Sequence, residues 1–174
     1  FKTQQDFSFL GKTHIYFVGI GGIGMSAIAR YFKSIGKEVS GYDKTPTPLT
    51  DELIDEGISV HFEDNLSLAE KIYSDPDKKG NVLVVYTPAI PKDHTEWNFF
   101  KDNQYELKKR SEVLGMITKS SYTIGIAGTH GKTTTSSMVA HILKSAGLNC
   151  TAFLGGITKN YRTNLLLGNS IGKK

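Results

Sequence analysis

Cysteine is almost absent from this sequence: its 174 residues include only Cys150. A single cysteine cannot form a disulfide within the chain, which fits a reducing compartment. Long apolar runs are also missing, since none approaches the roughly 18 residues that a membrane-spanning helix needs. The polar N-terminus carries no signal-peptide pattern. These absences predict a cytoplasmic protein with no membrane partner, and Cys150 is interpreted as a small core residue.

A strong charge of one sign is missing as well. The formal net charge is +4, and the longest basic run is Lys108 to Arg110. This run is too short for a nucleic-acid-binding surface. His14, His94 and His141 have no neighbours at metal-ligand spacing, so surface or core roles are expected for them. No obligate protein partner is evident, and 39% apolar residues are enough for a buried core.

Apolar runs of strand length alternate with helix-period segments over the first 110 residues. Five strands are predicted, at 14–18, 38–42, 58–62, 81–86 and 105–109. Helices are predicted at 24–35, 50–56 and 111–118, from a capping box at Ser67 to Glu70, and after a possible cap at Asp93 to Glu96. Strands that alternate with helices predict a parallel sheet with helices on its faces, and right-handed crossovers make it a Rossmann-like α/β domain.

A second unit is predicted after the polar joint Lys119 to Ser121. The boundary near residue 120 divides the chain into domains 1–119 and 120–174. A strand over 122–127, a helix over 132–146 and a strand over 150–154 indicate the start of a P-loop-type α/β domain. The helix is expected to pack through a stripe of Met138, Val139, Ile142 and Leu143. One βαβ piece cannot bury both faces of a sheet, so this unit is expected to be incomplete.

The first of two glycine-rich loops, Gly19-Ile20-Gly21-Gly22-Ile23-Gly24, satisfies G-x-G-x-x-G between a strand and a helix. Such a loop lets backbone N–H groups and a helix N-terminus approach a diphosphate. Asp43, 19 residues beyond Gly24, follows the second strand and is either a ribose ligand or a turn residue. By itself, this pattern is also typical of an NAD-dependent oxidoreductase or of a ligand-free tight turn.

The second loop, Gly128-Thr129-His130-Gly131-Lys132-Thr133-Thr134-Thr135, is the stronger signal. Its N–H groups can wrap phosphate oxygens, Lys132 can reach the β- and γ-phosphates of ATP, and the Thr133 hydroxyl can ligate Mg²⁺. The strict G-x-x-x-x-G-K-[ST] pattern is not met, because residue 126 is Ile. The alternative is a polar loop with an exposed lysine, and His130 is either a phosphate contact or a loop filler.

The two loops together resemble the Mur family of ATP-dependent ligases, in particular those that use UDP-N-acetylmuramic acid. Met25-Ser26 after the first loop fits this family, as do three further segments: Thr87 to Ile90, Lys109 to Leu114 and Phe153 to Ile157. The resemblance covers nearly the whole chain. A dehydrogenase has no use for a triphosphate-binding loop, so the second loop argues against an oxidoreductase.

The resemblance implies a role for each loop. The first domain would bind the UDP sugar through Gly19, Gly21, Gly22, Ile23, Gly24, Asp43, His61, Asn65, Thr87 and Arg110. The second would bind the ATP phosphates through Gly128, Thr129, His130, Gly131, Lys132, Thr133 and Thr134. Lys132 and Thr133 would be catalytic, and Thr133 would hold Mg²⁺. His61, Asn65 and Arg110 also fit ordinary strand-end, turn and surface roles.

The implied reaction joins L-alanine to the lactyl carboxylate of UDP-N-acetylmuramic acid through an acyl phosphate. A sister ligase that attaches a whole peptide to the same sugar nucleotide is the nearest alternative. Members of this family continue with an acidic segment that completes the Mg²⁺ site, then with a base pocket and a third domain. The chain ends at Lys174, before such a segment, so these residues alone are expected to lack ligase activity.

Overall fold

A computed structural model describes residues 11–73, 79–119 and 121–168. Five strands form one sheet: β1 (His14–Val18), β2 (Glu38–Tyr42), β3 (Ser59–His61), β4 (Val82–Tyr86) and β5 (Glu106–Lys109). The helices among them are α1 (Ile23–Ser34), α2 (Pro48–Asp55), α3 (Leu66–Tyr73), α4 (Thr95–Asp102) and α5 (Arg110–Thr118). This alternation of strands and helices confirms the predicted Rossmann-like domain.

All strand pairs of this sheet are parallel, in the order β3-β2-β1-β4-β5. The chain builds outward from β1 to β3 and then crosses back to place β4 on the other side of β1. Ligands of open α/β sheets bind where the strand order reverses in this way, beyond the carboxyl ends of the strands. In this sheet that position lies beyond the carboxyl ends of β1 and β4.

The central strands contribute alternate residues to two separate apolar cores, because successive side chains of a strand point to opposite faces of the sheet. One core contains Ile15 and Phe17 of β1 and packs against α1, α2 and α5. The other contains Tyr16 and Val18 of β1 and packs against Phe100 of α4. Because both faces of the parallel sheet are buried, the central strands β1 and β4 are apolar at nearly every position.

The ends of some elements differ from their sequence predictions. Helix α3 begins at Leu66 rather than after Ser67, because the Asn65 side chain accepts hydrogen bonds from the N–H and hydroxyl of Ser67, at 3.1 and 2.6 Å. Asn65, and not the predicted Ser67, is therefore the cap. Strand β3 is limited to Ser59–His61, and His94 caps α4 by accepting from the N–H of Trp97 at 3.2 Å.

Residues 121–168 contain one helix and one small sheet. Helix α6 (Lys132–Ser145) is followed by Gly147 with a φ of +73°, which confirms the predicted helix end. Strands β6 (Ala152–Phe153) and β7 (Leu165–Leu166) pair in antiparallel fashion. We call residues 152–166 the β6–β7 hairpin.

The predicted strand over 122–127 is wrong. These residues form no strand, and the side chain of Tyr122 is 96% exposed. A β-strand needs a hydrogen-bonded neighbouring strand, and no strand of the described residues pairs with this segment. The short apolar run therefore has β propensity but no partner with which to form a strand.

The predicted packing stripe of α6 is also wrong. Met138 and Ile142 are 61% and 63% exposed, and Ala140 is the only buried residue among those of this helix. The helical spacing of apolar residues is present, but no sheet in residues 121–168 covers that face. Ala140 packs instead with Leu154 and Leu166 of the hairpin.

The β6–β7 hairpin contacts α1 through a buried polar cluster. Asn164 is fully buried, and its Oδ1 accepts a hydrogen bond from Arg30 at 2.6 Å. Its Nδ2 donates to the carbonyl of Ile23 at 2.6 Å and to the hydroxyl of Ser26 at 2.8 Å. Glu52 of α2 and Glu56, the residue after that helix, both form ion pairs with the Arg30 guanidinium at 2.8 Å. Asn164 therefore attaches the hairpin to the first turns of α1.

Among the described residues, no helix is both long enough and apolar enough to cross a bilayer. The same residues contain no group of three or more His, Cys, Asp or Glu side chains placed to hold a metal ion.

Candidate functional site

The first glycine loop turns directly from β1 into α1 at the reversal of strand order. Gly19 has a φ of +88°, and the N–H groups of Gly19 and Ile20 donate to the carbonyl of Tyr42, at 2.8 and 3.0 Å. Gly22 is the N-cap of α1, and no side chain caps that helix end. The uncapped helix N-terminus leaves the first N–H groups of α1, at Ile23 and Gly24, able to approach an anion.

Asp43 supports this loop from the end of β2. Its Oδ2 accepts from the N–H of Gly21 at 2.7 Å, and its Oδ1 accepts from the N–H of Thr45 at 3.1 Å. A Cβ on Gly21 would lie 2.8 Å from that Oδ2. The loop conformation therefore needs both a glycine at position 21 and the carboxylate of Asp43. Each oxygen of this carboxylate already accepts one hydrogen bond within the protein.

The other residues expected around the sugar nucleotide also lie at the carboxyl edge of the sheet. His61 ends β3, Thr87 follows β4, and Arg110 follows β5 as the first residue of α5. The Arg110 guanidinium occupies the space that a Cβ on Gly24 would fill, so it lies against the first loop. Asn65 lies four residues beyond His61, and its side chain caps α3.

A buried carboxylate near these residues was missed by the sequence reasoning. Glu96 is 0% exposed and bonds His61, the N–H of Asn65 and the Tyr16 hydroxyl. Burial and the adjacent Glu96 charge raise the pKa of Tyr16 far above its usual range, which keeps the hydroxyl protonated. The capping pattern at Asp93 to Glu96 marked the segment, but nothing in the sequence showed that Glu96 turns inward.

Asp64 fixes the segment that carries Glu96. Its carboxylate accepts from the N–H and hydroxyl of Thr95, at 2.8 and 2.6 Å, and from the N–H of Glu96 at 3.1 Å. Burial alone would raise the pKa of Asp64, but these hydrogen bonds and the nearby His94 hold it below its usual value. An ionised Asp64 thus joins the turn after β3 to the first turn of α4.

The second glycine loop precedes α6 and is exposed throughout. Gly131, the N-cap of α6, has a φ of +75°. The Lys132 ammonium donates to the carbonyls of Gly128 and Thr129, at 2.7 and 2.9 Å. A loop that folds around a lysine beside a helix N-terminus can also accommodate phosphate oxygens, so the sequence-predicted groups do come together here.

Thr133 lies between the second loop and the β6–β7 hairpin. A Cβ on Gly155 would lie 2.8 Å from the Thr133 hydroxyl, and one on Gly156 would lie 3.3 Å from its methyl group. The two glycines after β6 therefore leave the Thr133 hydroxyl uncrowded. A hydroxyl so placed, next to a phosphate loop, suits Mg²⁺, which accepts hard oxygen ligands and keeps several waters.

Comparison with known proteins agrees with this arrangement. The sequence matches the Mur ligase family, catalytic domain, over residues 14–122. The chain belongs to the Mur ligase family. It is 60% identical over 158 residues to the UDP-N-acetylmuramate–L-alanine ligase of Flavobacterium psychrophilum, a match that covers 90% of this chain and 34% of that protein.

Two solved structures of the same family share the fold. The UDP-N-acetylmuramate–alanine ligase of Thermotoga maritima superposes with a TM-score of 0.77 at 35% identity, over 90% of this chain and 35% of that one. The Neisseria meningitides UDP-N-acetylmuramate:L-alanyl-γ-D-glutamyl-meso-diaminopimelate ligase has a TM-score of 0.79 at 27% identity, over 91% and 48% of the two chains. This chain spans about a third of the length of the curated relatives it matches.

Proposed function

We propose that this protein works as a UDP-N-acetylmuramate–L-alanine ligase that consumes ATP. The observation that carries the proposal is the presence of two separate phosphate-type loops in one chain of the Mur ligase family. One loop lies at the reversal point of the sheet and the other at the start of α6. A reaction that uses both a nucleotide sugar and a nucleoside triphosphate needs two such loops.

The UDP sugar is assigned to the carboxyl edge of the five-stranded sheet. The diphosphate would meet the N–H groups of Ile23 and Gly24 at the uncapped N-terminus of α1, with the Arg110 guanidinium beside Gly24. His61 and Thr87 lie at the ends of β3 and β4 on either side of this loop. We therefore assign residues 1–119 to the UDP-sugar-binding domain, with the uridine and sugar spread along this edge.

ATP is assigned to the second loop, in a unit that begins near residue 120. The N–H groups from Gly128 to Thr134 would surround the phosphates, and Lys132 would exchange its two carbonyl contacts for phosphate oxygens. Thr133 would contribute a hydroxyl to Mg²⁺, which supplies positive charge to the phosphates when bound. This pairing of loop lysine and hydroxyl is the chemistry that phosphoryl transfer requires.

The proposed reaction has two steps. The lactyl carboxylate of UDP-N-acetylmuramic acid attacks the γ-phosphorus of ATP, and ADP leaves to give an acyl phosphate. The amine of L-alanine then attacks the acyl carbon, inorganic phosphate leaves, and the amide forms with loss of a proton. Lys132 stabilises the negative charge of the transferred phosphoryl group in the first step. ATP and nucleotide sugars are cytoplasmic metabolites, so a cytoplasmic location is part of the proposal.

A phosphate-release assay tests this function. The complete gene product is incubated with ATP, Mg²⁺, UDP-N-acetylmuramate and one amine. We expect release with L-alanine that needs all four components. Turnover with an L-alanyl-peptide in place of L-alanine would instead identify a peptide ligase, the activity named for the Neisseria structure. L-alanine is favoured because eight relatives at 50% to 60% identity are each named as a UDP-N-acetylmuramate–L-alanine ligase.

A further inference from the structure

A fully buried carboxylate controls the hydrogen bonding of His61. Glu96, the second residue of α4, is 0% exposed although its side chain is charged in water at neutral pH. Its Oε1 lies 2.7 Å from Nε2 of His61 and 3.1 Å from the N–H of Asn65. Its Oε2 accepts from the Tyr16 hydroxyl. The His61 ring, the Asn65 N–H and the Tyr16 hydroxyl therefore surround one carboxylate in the first turn of α4.

This environment determines which ring nitrogen of His61 carries the proton. A carboxylate can only accept, so Nε2 of His61 must be the donor in the 2.7 Å contact. In the neutral imidazole the other nitrogen, Nδ1, then carries no proton and is an acceptor. Burial raises the pKa of Tyr16 well above its usual range, so its hydroxyl stays a donor to Glu96.

The second nitrogen of His61 is open. No described residue bonds Nδ1, and the only buried side-chain nitrogen or oxygen without a partner in the described residues is Nε2 of His94. Nδ1 is therefore reached by solvent, in a side chain that is 22% exposed. It belongs to the end of β3, on the same edge as the first glycine loop and Asp43.

We infer that Glu96 is a positioning residue: it holds His61 in the Nε2–H tautomer, so that Nδ1 accepts a hydrogen bond from the bound uridine nucleotide. This inference rests on the proposed function, since it needs a uridine nucleotide at this edge. The donor is either the N3–H of the base or a ribose hydroxyl, which share the chemistry that an unprotonated imidazole nitrogen recognises. A His61 that only neutralises Glu96 would contact no ligand.

The test is imidazole ¹⁵N NMR of the 174-residue chain, without any mutation at first. We expect a proton on Nε2 of His61 and none on Nδ1, and we expect saturating UDP to shift the Nδ1 resonance. CDP lacks the N3–H, and 2′-deoxy-UDP lacks one hydroxyl. Loss of the Nδ1 shift with CDP identifies the base as the donor, and loss with 2′-deoxy-UDP identifies the ribose. A ring protonated on Nδ1 in the UDP complex overturns the inference.

Two substitutions at one position separate positioning from packing. Glu96→Gln keeps an oxygen for His61 and Asn65 and can donate to the Tyr16 oxygen, so we expect the tautomer and UDP affinity to be retained. Glu96→Leu keeps the side-chain volume but removes the hydrogen-bond acceptor, so we expect His61 to populate both tautomers. We expect UDP to bind about tenfold more weakly, which corresponds to the loss of one hydrogen bond. Unchanged tautomer and affinity in a folded Glu96→Leu chain overturn the inference.

Failure of the proposed function gives a different result. If the first loop does not bind the sugar nucleotide, UDP will leave the backbone amide resonances of Gly19 to Gly24 unmoved. If those amides shift and the His61 nitrogens do not, UDP binds at the loop and only the role of Glu96 and His61 is wrong. The wild-type measurement remains decisive even if Glu96→Leu fails to fold.

Discussion

The first glycine loop joins a strand and a helix that are both buried, whereas the second precedes a helix whose apolar face is exposed. Residues of β1 and α1 fill the core of the five-stranded sheet region, residues 14–119. In the C-terminal region, residues 121–168, the core consists of Ala140, Leu154 and Leu166 with partly buried Ala152 and Tyr161. A phosphate-type loop thus forms from local sequence in both regions, but only the first loop lies against a buried parallel sheet.

The comparison also shows how the weakly packed region is held. The hairpin that packs on α6 places Asn164 in a buried hydrogen-bond cluster with Arg30 and Ser26 of α1. The rings of Tyr31 and Phe153 add an apolar contact, with centroids 5.5 Å apart. The C-terminal region therefore gains part of its order from α1, which begins at the first loop.

The largest expected effect is on stability, from a substitution in the core of the sheet region. Phe100→Ala removes a buried ring that packs against Tyr16, Tyr73 and Tyr105. We expect it to lower the free energy of unfolding by about 3–5 kcal/mol. Ile142→Ala on the exposed face of α6 is the control, with a change within about 0.5 kcal/mol. Urea unfolding of the chain measures both, and equal losses would refute the contrast between the regions.

The role of the second loop is tested by removing its lysine, Lys132, and measuring ligase activity rather than stability. In the complete gene product, Lys132→Ala is expected to lower L-alanine ligation by about 10³-fold or more, because Lys132 is the only lysine or arginine in the second loop. Lys144→Ala is the matched control, since Lys144 lies at the far end of α6 over the Tyr161 ring. Near-normal turnover of Lys132→Ala would show that this lysine has another role.

The attachment of the hairpin predicts a change confined to one region. Asn164→Ala leaves Arg30 and the Ile23 carbonyl without their buried amide partner, a cost of about 1–3 kcal/mol. We expect amide hydrogen exchange in α6 and the hairpin to accelerate by about ten- to a hundredfold, with β1 and β4 unchanged. Lys159→Ala, on the exposed part of the hairpin, should leave both regions unchanged. Equal acceleration in β1 would mean that the two regions open as one unit.

The smallest effect is a pH dependence in the sheet region. Folding lowers the pKa of Asp64, because its hydrogen bonds favour the charged carboxylate. The ionised side chain therefore stabilises the folded protein at pH values above the unfolded-state pKa, and this stabilisation is lost as the pH falls through the folded-state pKa. We expect the Tm difference between wild type and Asp64→Asn to shrink as the pH falls from about 5 to about 3. A constant difference across that range would show that the hydrogen bonds from Thr95 and Glu96 do not favour the charged form.

The sheet region was predictable because its signals are local or periodic. The limits of β1 and β2 match the predicted strands, and the first loop is where G-x-G-x-x-G lies between β1 and α1. The predicted strand over 122–127 and the packing of α6 failed because both depend on partners elsewhere in a sheet. Glu96 and Asn164 were missed for a related reason: their burial is set by distant residues that no spacing rule connects.

The central claim is that the two loops serve two different nucleotides, and crossed titrations test it most directly. Wild type, Gly21→Val and Lys132→Ala forms of the complete gene product are titrated with UDP-N-acetylmuramate and with ATP by calorimetry. A side chain at 21 would meet Asp43 and Thr50 at 2.8 and 2.9 Å. We predict that Gly21→Val weakens only UDP-N-acetylmuramate, by more than about tenfold, and that Lys132→Ala weakens only ATP. Equal weakening of both ligands by either folded variant would contradict the account.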